Sequence, residues 1–161
     1  MSTRTGIGYD SHRLDAGRKL VLGGVQIAGA PRGLTGHSDA DVLTHAAIDA
    51  LLGAAGLGDI GQHFPDTDER WRDADSIALL EEVGRMLRLA GTVPVHVDAS
   101  VIADAPRLSP HRDAMRERLA AALGVDAAAI SIKFTTNEGM GFVGRGEGMA
   151  AMAVATVEEA E

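Results

Sequence analysis

Cysteine is absent from the 161 residues. That excludes disulfides, thiolate zinc sites and cysteine nucleophiles. Aromatic residues make up 3% of the chain, too few for the stacking platform that single-stranded nucleic acids require. Lysine occurs only at Lys19 and Lys133, and the net charge is -8. Non-specific nucleic-acid binding rests on basic side chains neutralising phosphates, so a nucleic-acid partner is not expected. No stretch approaches the roughly 18 uncharged apolar residues of a membrane span, and Met1 to Gly8 carries no apolar signal-peptide core. The expectation is a cytoplasmic protein. With 45% hydrophobic and 24% charged residues, one domain over residues 1–161 with a real core is expected.

The stretch Gly36–Gly61 organises the chain: G-H-S-D-A-D-V-L-T-H-A-A-I-D-A-L-L-G-A-A-G-L-G-D-I-G. Ser38 followed three residues later by Asp41 gives a capping pattern, with Ser38 as the expected N-cap. The helix that follows is apolar nearly all round, from Val42 to Leu52, which predicts burial. Yet Asp41, His45 and Asp49 recur at i, i+4, i+8 and so share one stripe. Ionisable groups on a buried helix are costly unless partners, a metal or a ligand satisfy them.

Thr3 to Asp10 reads as a short strand that delivers Asp10-Ser11-His12 at its end. Residues i and i+2 of a strand share a face, so Asp10 and His12 can address one point. Lys19 to Val25 reads as a second strand with a Gly23-Gly24 turn. Leu57 to Asp68 has neither helical nor strand period and is read as a loop. It carries Asp59, His63, Asp66 and Asp68, which gives it a binding role to weigh. Ala74 to Leu89 is a second helix, capped by Asp75 or Ser76, with Ile77, Leu80 and Val83 in its buried stripe. Val93 to Ile102 alternates as a strand: Val95, Val97, Ala99 and Val101 on one face, His96, Asp98 and Ser100 on the other. Ser109-Pro110 opens a helix running to about Leu123. Ile130 to Thr135 and Met149 to Val157 complete the strands. The expected architecture is α/β, a two-layer α+β sandwich with helices on one side of a mixed, mostly antiparallel sheet. The small-residue strands leave the other sheet face poorly covered, which predicts an oligomer whose sheets pack together.

Asp10, His12 and His45 together offer one oxygen and two nitrogen ligands. Three protein ligands with an open fourth position are the pattern of a catalytic zinc. Taken singly, His45 fits a hydrogen-bonded core histidine, and Asp10 with His12 fits a surface pair. Asp49, one turn past His45, could orient its second ring nitrogen. The Thr135–Gly139 turn offers hydroxyls and backbone N–H groups suited to phosphate oxygens.

Seven segments now line up: G-Y-D-S-H, G-H-S-D-A-D-V-L-T-H, L-L-G-A-A-G-L-G-D-I-G, F-P-D-T-D, A-D-A-P-R-L, T-T-N-E-G-M-G-F and G-R-G-E-G. In this order and spacing the chain resembles the 2-C-methyl-D-erythritol 2,4-cyclodiphosphate synthase family, from about residue 5 to 157. The resemblance implies a homotrimer with active sites between subunits, its sheets packed about the trimer axis. It implies conversion of 4-diphosphocytidyl-2-C-methyl-D-erythritol 2-phosphate to the 2,4-cyclodiphosphate with release of CMP, in non-mevalonate isoprenoid biosynthesis. Asp10, His12 and His45 match ligands of Zn²⁺ or a similar divalent ion, and Glu138 the residue holding a second ion, Mg²⁺ or Mn²⁺. His37 and Thr136 match the residues that stabilise the transition state. Ser38, Asp59, Ile60, Gly61, Phe64, Asp66 and Asp68 match the methylerythritol and phosphate pocket. Ala103, Ala105, Pro106, Arg107, Leu108 and Ser109, with Thr135, match the cytidine side lent by a neighbour. Arg107 departs from the more usual lysine, which alters the donor geometry there. Phe142, Arg145 and Glu147 match a channel on the threefold axis.

Two other readings fit parts of the pattern. A metal-dependent nucleotide-diphosphate phosphohydrolase would use Asp49 or Asp66 as general base. A non-catalytic, oligomeric metal-binding protein would account for the ligand set, but not for Glu138 beside Thr135 and Thr136.

Overall fold

Two glycines of the first strand decide how closely the layers meet. In the computed structural model, which describes residues 2–161, β1 (Thr3–Asp15) runs under the long helix α1 (Val42–Ala55). A Cβ on Gly8 would lie 2.0 Å from the Ala46 carbonyl oxygen, and one on Gly6 2.1 Å from that of Ala50. Strand and helix backbones therefore touch where most strands and helices are held apart by side chains. Beyond Gly8 the same face of β1 carries Asp10 and His12, which lie beside His45 of α1.

The sheet has the order β4-β1-β7-β5-β6, with β4 (Gly33–Thr35), β5 (Thr92–Ile102), β6 (Ile130–Thr135) and β7 (Gly148–Glu159). Every neighbouring pair is antiparallel except β5 and β6. That parallel pair is joined through α4 (Arg112–Leu123), as a parallel connection requires a crossover. Helix α3 (Ser76–Leu89) packs on α1, α4 and β5. The core lies between these helices and one sheet face, filled by Leu43, Ile48, Leu51, Leu52, Leu80, Leu87, Met115 and Leu119, all fully buried. The opposite face carries Ile7, Tyr9, Met152 and Val154, which are exposed; Ile7 keeps 67% of its surface. This is the mixed sheet with helices on one side that the sequence pattern predicts.

Helix α1 starts later than its sequence suggests. The N-cap is Asp41, which accepts from the Thr44 N–H, and not Ser38. Asp41 is wholly buried. Its carboxylate also accepts the Thr44 hydroxyl at 2.7 Å and the backbone N–H groups of Gly23 and Gly24 at 2.9 and 2.8 Å. Those glycines form the turn between β2 (Val21–Leu22) and β3 (Val25–Gln26). Both have positive φ, 57° and 71°, the conformation that two-residue hairpin turns demand. Burial pushes the Asp41 carboxyl upward, against the hydrogen bonds from Thr44 and Gly24. Four donors surround it, so a proton placed there would displace one of them.

Other boundaries also shift. β1 continues to Asp15 because its second half pairs with β4 and β7, so Asp10 and His12 lie mid-strand rather than at a strand end. Residues 57–68 contain a short helix, α2 (Ile60–His63), closed by a capping box between Asp59 and Gln62. A bulge between Pro94 and His96 breaks the alternation of β5. Val95 is thereby exposed, while Val97, Ala99 and Val101 stay in the core. The glycine-rich stretch folds as α5 (Gly141–Gly144) before β7.

Gly8→Ala is expected to destabilise the fold by about 1–3 kcal/mol, the usual cost of forcing extra volume into a packed layer. Gly17→Ala, where a Cβ meets nothing nearer than 3.9 Å, is the control. Urea unfolding midpoints measure both; equal midpoints would show that the strand–helix approach is not tight.

Candidate active site

Asp10 and His12 project from the helix-facing side of β1, and His45 from the first turns of α1. Their ligand atoms all lie within 4.8 Å of one another. Asp10 Oδ2 is 3.0 Å from His12 Nε2 and 3.1 Å from His45 Nδ1. The two imidazoles present opposite nitrogens to the carboxylate. His12 Nδ1 is 2.9 Å from the Thr35 carbonyl. A carbonyl can only accept, so Nδ1 carries a proton, and Nε2 is the nitrogen turned to the cluster. His45 Nε2 faces away, 2.7 Å from the Ser76 hydroxyl and 3.2 Å from that of Ser38, which leaves Nδ1 for the cluster. One carboxylate and two oriented imidazoles are a donor set suited to a divalent ion.

The electrostatics are those of a strongly coupled group. Burial works against charge on His45, but hydrogen bonding and attraction from Asp10, with Asp41 and Asp39 adding, raise its pKa. Burial likewise works against charge on Asp10, yet the two histidines outweigh it and lower its pKa. In the absence of a metal the acid and the imidazoles stabilise each other's charge, and a divalent ion bound there would take the place of the proton on the His45 ring.

A cleft of about 400 Å³ opens over the cluster, a size suited to a small-molecule ligand. Asp10, His12, His37, Ser38, His45, Ile60, Gly61, Phe64 and Asp66 all line it, so nine of the expected site residues converge. His37 donates from Nε2 to the Asp68 carbonyl at 2.9 Å, which ties the segment before α1 to the segment after α2. Asp59 and Asp68 do not line the cleft. Asp59 caps α2, and the Asp68 carboxylate is held by Arg70, which lowers its pKa. Asp49 does not reach His45. It accepts the Ile60 N–H at 2.8 Å and so anchors the chain segment that bears Ile60 and Gly61.

A second cavity of about 410 Å³ lies at the β5–β6 edge of the sheet. Ala103, Ala105, Pro106, Arg107, Leu108, Ser109, Thr135 and Thr136 line it. It shares no residue with the first, because β7 and β5 stand between β1 and β6. The Thr136 hydroxyl accepts the Glu138 N–H at 3.1 Å. Phe142 borders a smaller pocket with Ser11, Arg13 and Glu147, and Arg145 pairs with Glu147 at 3.3 Å.

Several residues join the site without having been singled out by sequence. Trp71 and Leu79 line the first cleft, and the Trp71 ring meets Phe64 edge-on with centroids 5.1 Å apart. Trp71 is the only tryptophan in the chain, a signal that could have flagged it. Asp104 accepts the N–H groups of Asn137 and Gly139 at 2.7 and 2.9 Å, and thereby shapes the turn that carries Glu138. Nothing local in the sequence pairs positions 104 and 137. The same holds for Ser76 beside His45.

Comparison with known proteins agrees with this arrangement. A family model described as the YgbB family matches residues 3–158. A protein of Desulfosudis oleivorans named 2-C-methyl-D-erythritol 2,4-cyclodiphosphate synthase is 59% identical over 98% of this chain and 94% of its own length. A protein of the same name from Salinibacter ruber is 58% identical over 98% of this chain and 99% of its own. Among solved structures, the bifunctional IspDF of Campylobacter jejuni superposes with a TM-score of 0.94 at 42% identity, covering 98% of this chain and 42% of that longer one. The Plasmodium falciparum IspF CDP complex gives 0.86 at 29% identity, with coverage of 99% and 98%. The chain belongs to the YgbB family.

Proposed function

We infer that this chain converts 4-diphosphocytidyl-2-C-methyl-D-erythritol 2-phosphate to 2-C-methyl-D-erythritol 2,4-cyclodiphosphate and CMP, a phosphorus–oxygen lyase reaction of non-mevalonate isoprenoid synthesis. The observation that carries this reading is the Asp10–His12–His45 cluster beneath a cleft lined by His37, Ser38, Ile60, Gly61 and Phe64. Close relatives of nearly equal length bear that enzyme's name, and one similar structure is a CDP complex.

In the reaction an oxygen of the 2-phosphate bonds to the β-phosphorus. The bond from that phosphorus to the bridging oxygen breaks, and its electron pair leaves with CMP. Nucleophile and electrophile belong to one molecule, so positioning and charge neutralisation account for most of the catalysis. Zn²⁺ held by Asp10, His12 and His45, with Mg²⁺ or Mn²⁺ held through Glu138, would supply Lewis-acid stabilisation of the phosphoryl oxygens. His37 and Thr136 face the reacting phosphates from opposite ends of the site and stabilise the charge that builds there. Ser38 and the backbone of Ile60 and Gly61 hold the methylerythritol and phosphate groups. Phe64 gives the sugar an apolar wall, and Asp66 borders it. The second cavity, from Ala103 to Ser109 with Thr135, takes the cytidine.

The two cavities lie toward opposite edges of one sheet, which supports an active site completed by a neighbouring copy. The exposed apolar patch of Ile7, Tyr9, Met152 and Val154 supports sheet-to-sheet packing of single-domain subunits in a homotrimer. Phe142 and Arg145 would then lie toward its axis. Hydrolysis by a water on Asp49 is disfavoured, since Asp49 is committed to the Ile60 N–H; Asp66 remains as the general base of that alternative.

Incubating the purified protein with the substrate and following phosphorus NMR is expected to show the cyclic diphosphate with CMP; a free monophosphate would establish hydrolysis instead. His45→Ala should lose bound zinc and nearly all turnover, and a fully metallated, active variant would contradict the ligand assignment. Glu138→Ala should retain zinc while turnover no longer responds to Mg²⁺ or Mn²⁺; an unchanged titration curve would contradict its role. Val154→Arg should shift the light-scattering mass from trimer to monomer and abolish activity, whereas an intact, active trimer would argue against packing through this face.

A further inference from the structure

We propose that Ser76 and Asp39 are positioning residues that fix the tautomer of His45 and so set the metal affinity of the cluster. This proposal rests on the metal-site reading above. Three observations carry it. First, the His45 ring is clamped at both nitrogens: Nδ1 lies 3.1 Å from Asp10 Oδ2, and Nε2 lies 2.7 Å from Ser76 Oγ. Second, the Ser76 hydroxyl donates a hydrogen bond to Asp39 Oδ1. A carboxylate only accepts, so Ser76 gives its one proton to Asp39 and can only accept from His45. A proton is thereby held on Nε2, and Nδ1, which faces Asp10, is the nitrogen left to give a lone pair to a metal ion. Third, Asp39 is itself immobilised. Its Oδ2 accepts the Ser76 N–H at 2.9 Å, its Oδ1 accepts the Asp41 N–H at 3.2 Å, and its own N–H donates to the Ala74 carbonyl at 3.1 Å.

The chain carboxylate–hydroxyl–imidazole lies deep in the molecule, with Ser76 completely buried. Its negative end withdraws the Nε2 proton partway and makes Nδ1 a better donor, as carboxylates behind metal-bound histidines do. The serine hydroxyl is interposed because Asp39 lies 3.9 Å from His45 Nε2, too far for a direct bond. Ser38 Oγ, at 3.2 Å from the same nitrogen, accepts from the Ala40 N–H and has no carboxylate behind it. It cannot replace the relay. His12 is oriented by a neutral carbonyl instead, so the two histidines differ in what stands behind them.

The test measures zinc binding by competition with a chromophoric chelator, together with the ring nitrogen signals of His45 by NMR, in the absence of substrate. In the parent protein the zinc-loaded His45 should show a protonated Nε2 that exchanges slowly with solvent. Ser76→Ala and Asp39→Asn should each weaken zinc binding about 10- to 100-fold, the usual effect of losing a partner behind a metal ligand. Both should release the Nε2 proton to fast exchange. Ser76→Thr, which keeps the hydroxyl, should restore slow exchange and most of the affinity. A merely structural serine would leave the ring signals unchanged. Zinc affinity within twofold of the parent in Ser76→Ala, or in Asp39→Asn should the alanine variant not fold, would overturn the relay while leaving the metal site standing. A parent protein that binds no zinc would overturn both. Neither result depends on whether the substrate is cyclised.

Discussion

The approach of β1 to α1 is the constraint on which the site depends. Gly6 and Gly8 let the strand backbone rest against the carbonyls of Ala46 and Ala50. Side chains at these positions would lift the strand, and Asp10 and His12 with it, away from His45. The cluster spans few ångströms, so a small displacement would separate a ligand from its partners. The binding geometry is thus set by where two backbones touch, at residues that line neither cavity.

A second layer of anchors holds the segments around that contact. Asp41 joins the start of α1 to the β2–β3 turn with four accepted hydrogen bonds. His37 joins the preceding segment to Asp68. Asp49 joins α1 to α2 through Ile60. Each of these polar groups is buried or half-buried, and each has partners. A buried polar group without partners would cost about 1–3 kcal/mol. The same bonds that satisfy these groups also fix the walls of the cleft.

Much of the site was legible because local rules suffice for it. Asp10 and His12 share a face wherever the backbone is extended, and the composition of α1 declares it buried. The other residues expected in the cleft, His37, Ser38, Ile60, Gly61, Phe64 and Asp66, came from the family's motifs and not from local rules. Other readings changed where a distant partner outbid a local one. Ser38 matches an N-cap by spacing, yet its hydroxyl turns to His45 and Asp41 takes the cap. Asp49 shares a stripe with His45, yet the Ile60 N–H claims it. Val95 alternates correctly on paper, and a bulge set by pairing with β7 turns it outward. The Ser76–Asp39 pair lies 37 residues apart, a separation across which no periodicity carries information.

The sequence by itself determined the long helices and strands, the side of the sheet that the helices cover, and the ligand types available, since these follow from periodicity, turn chemistry and the absence of cysteine. Its motif order also pointed to the family. Only the tertiary structure decided which nitrogen of each histidine faces the cluster, which acids are spent on capping and anchoring, and that the two cavities of one chain stand apart. Those outcomes depend on hydrogen-bond partners brought together by packing. A side chain's role in a site is settled by the group it meets, and in a folded chain that group is often far away in sequence.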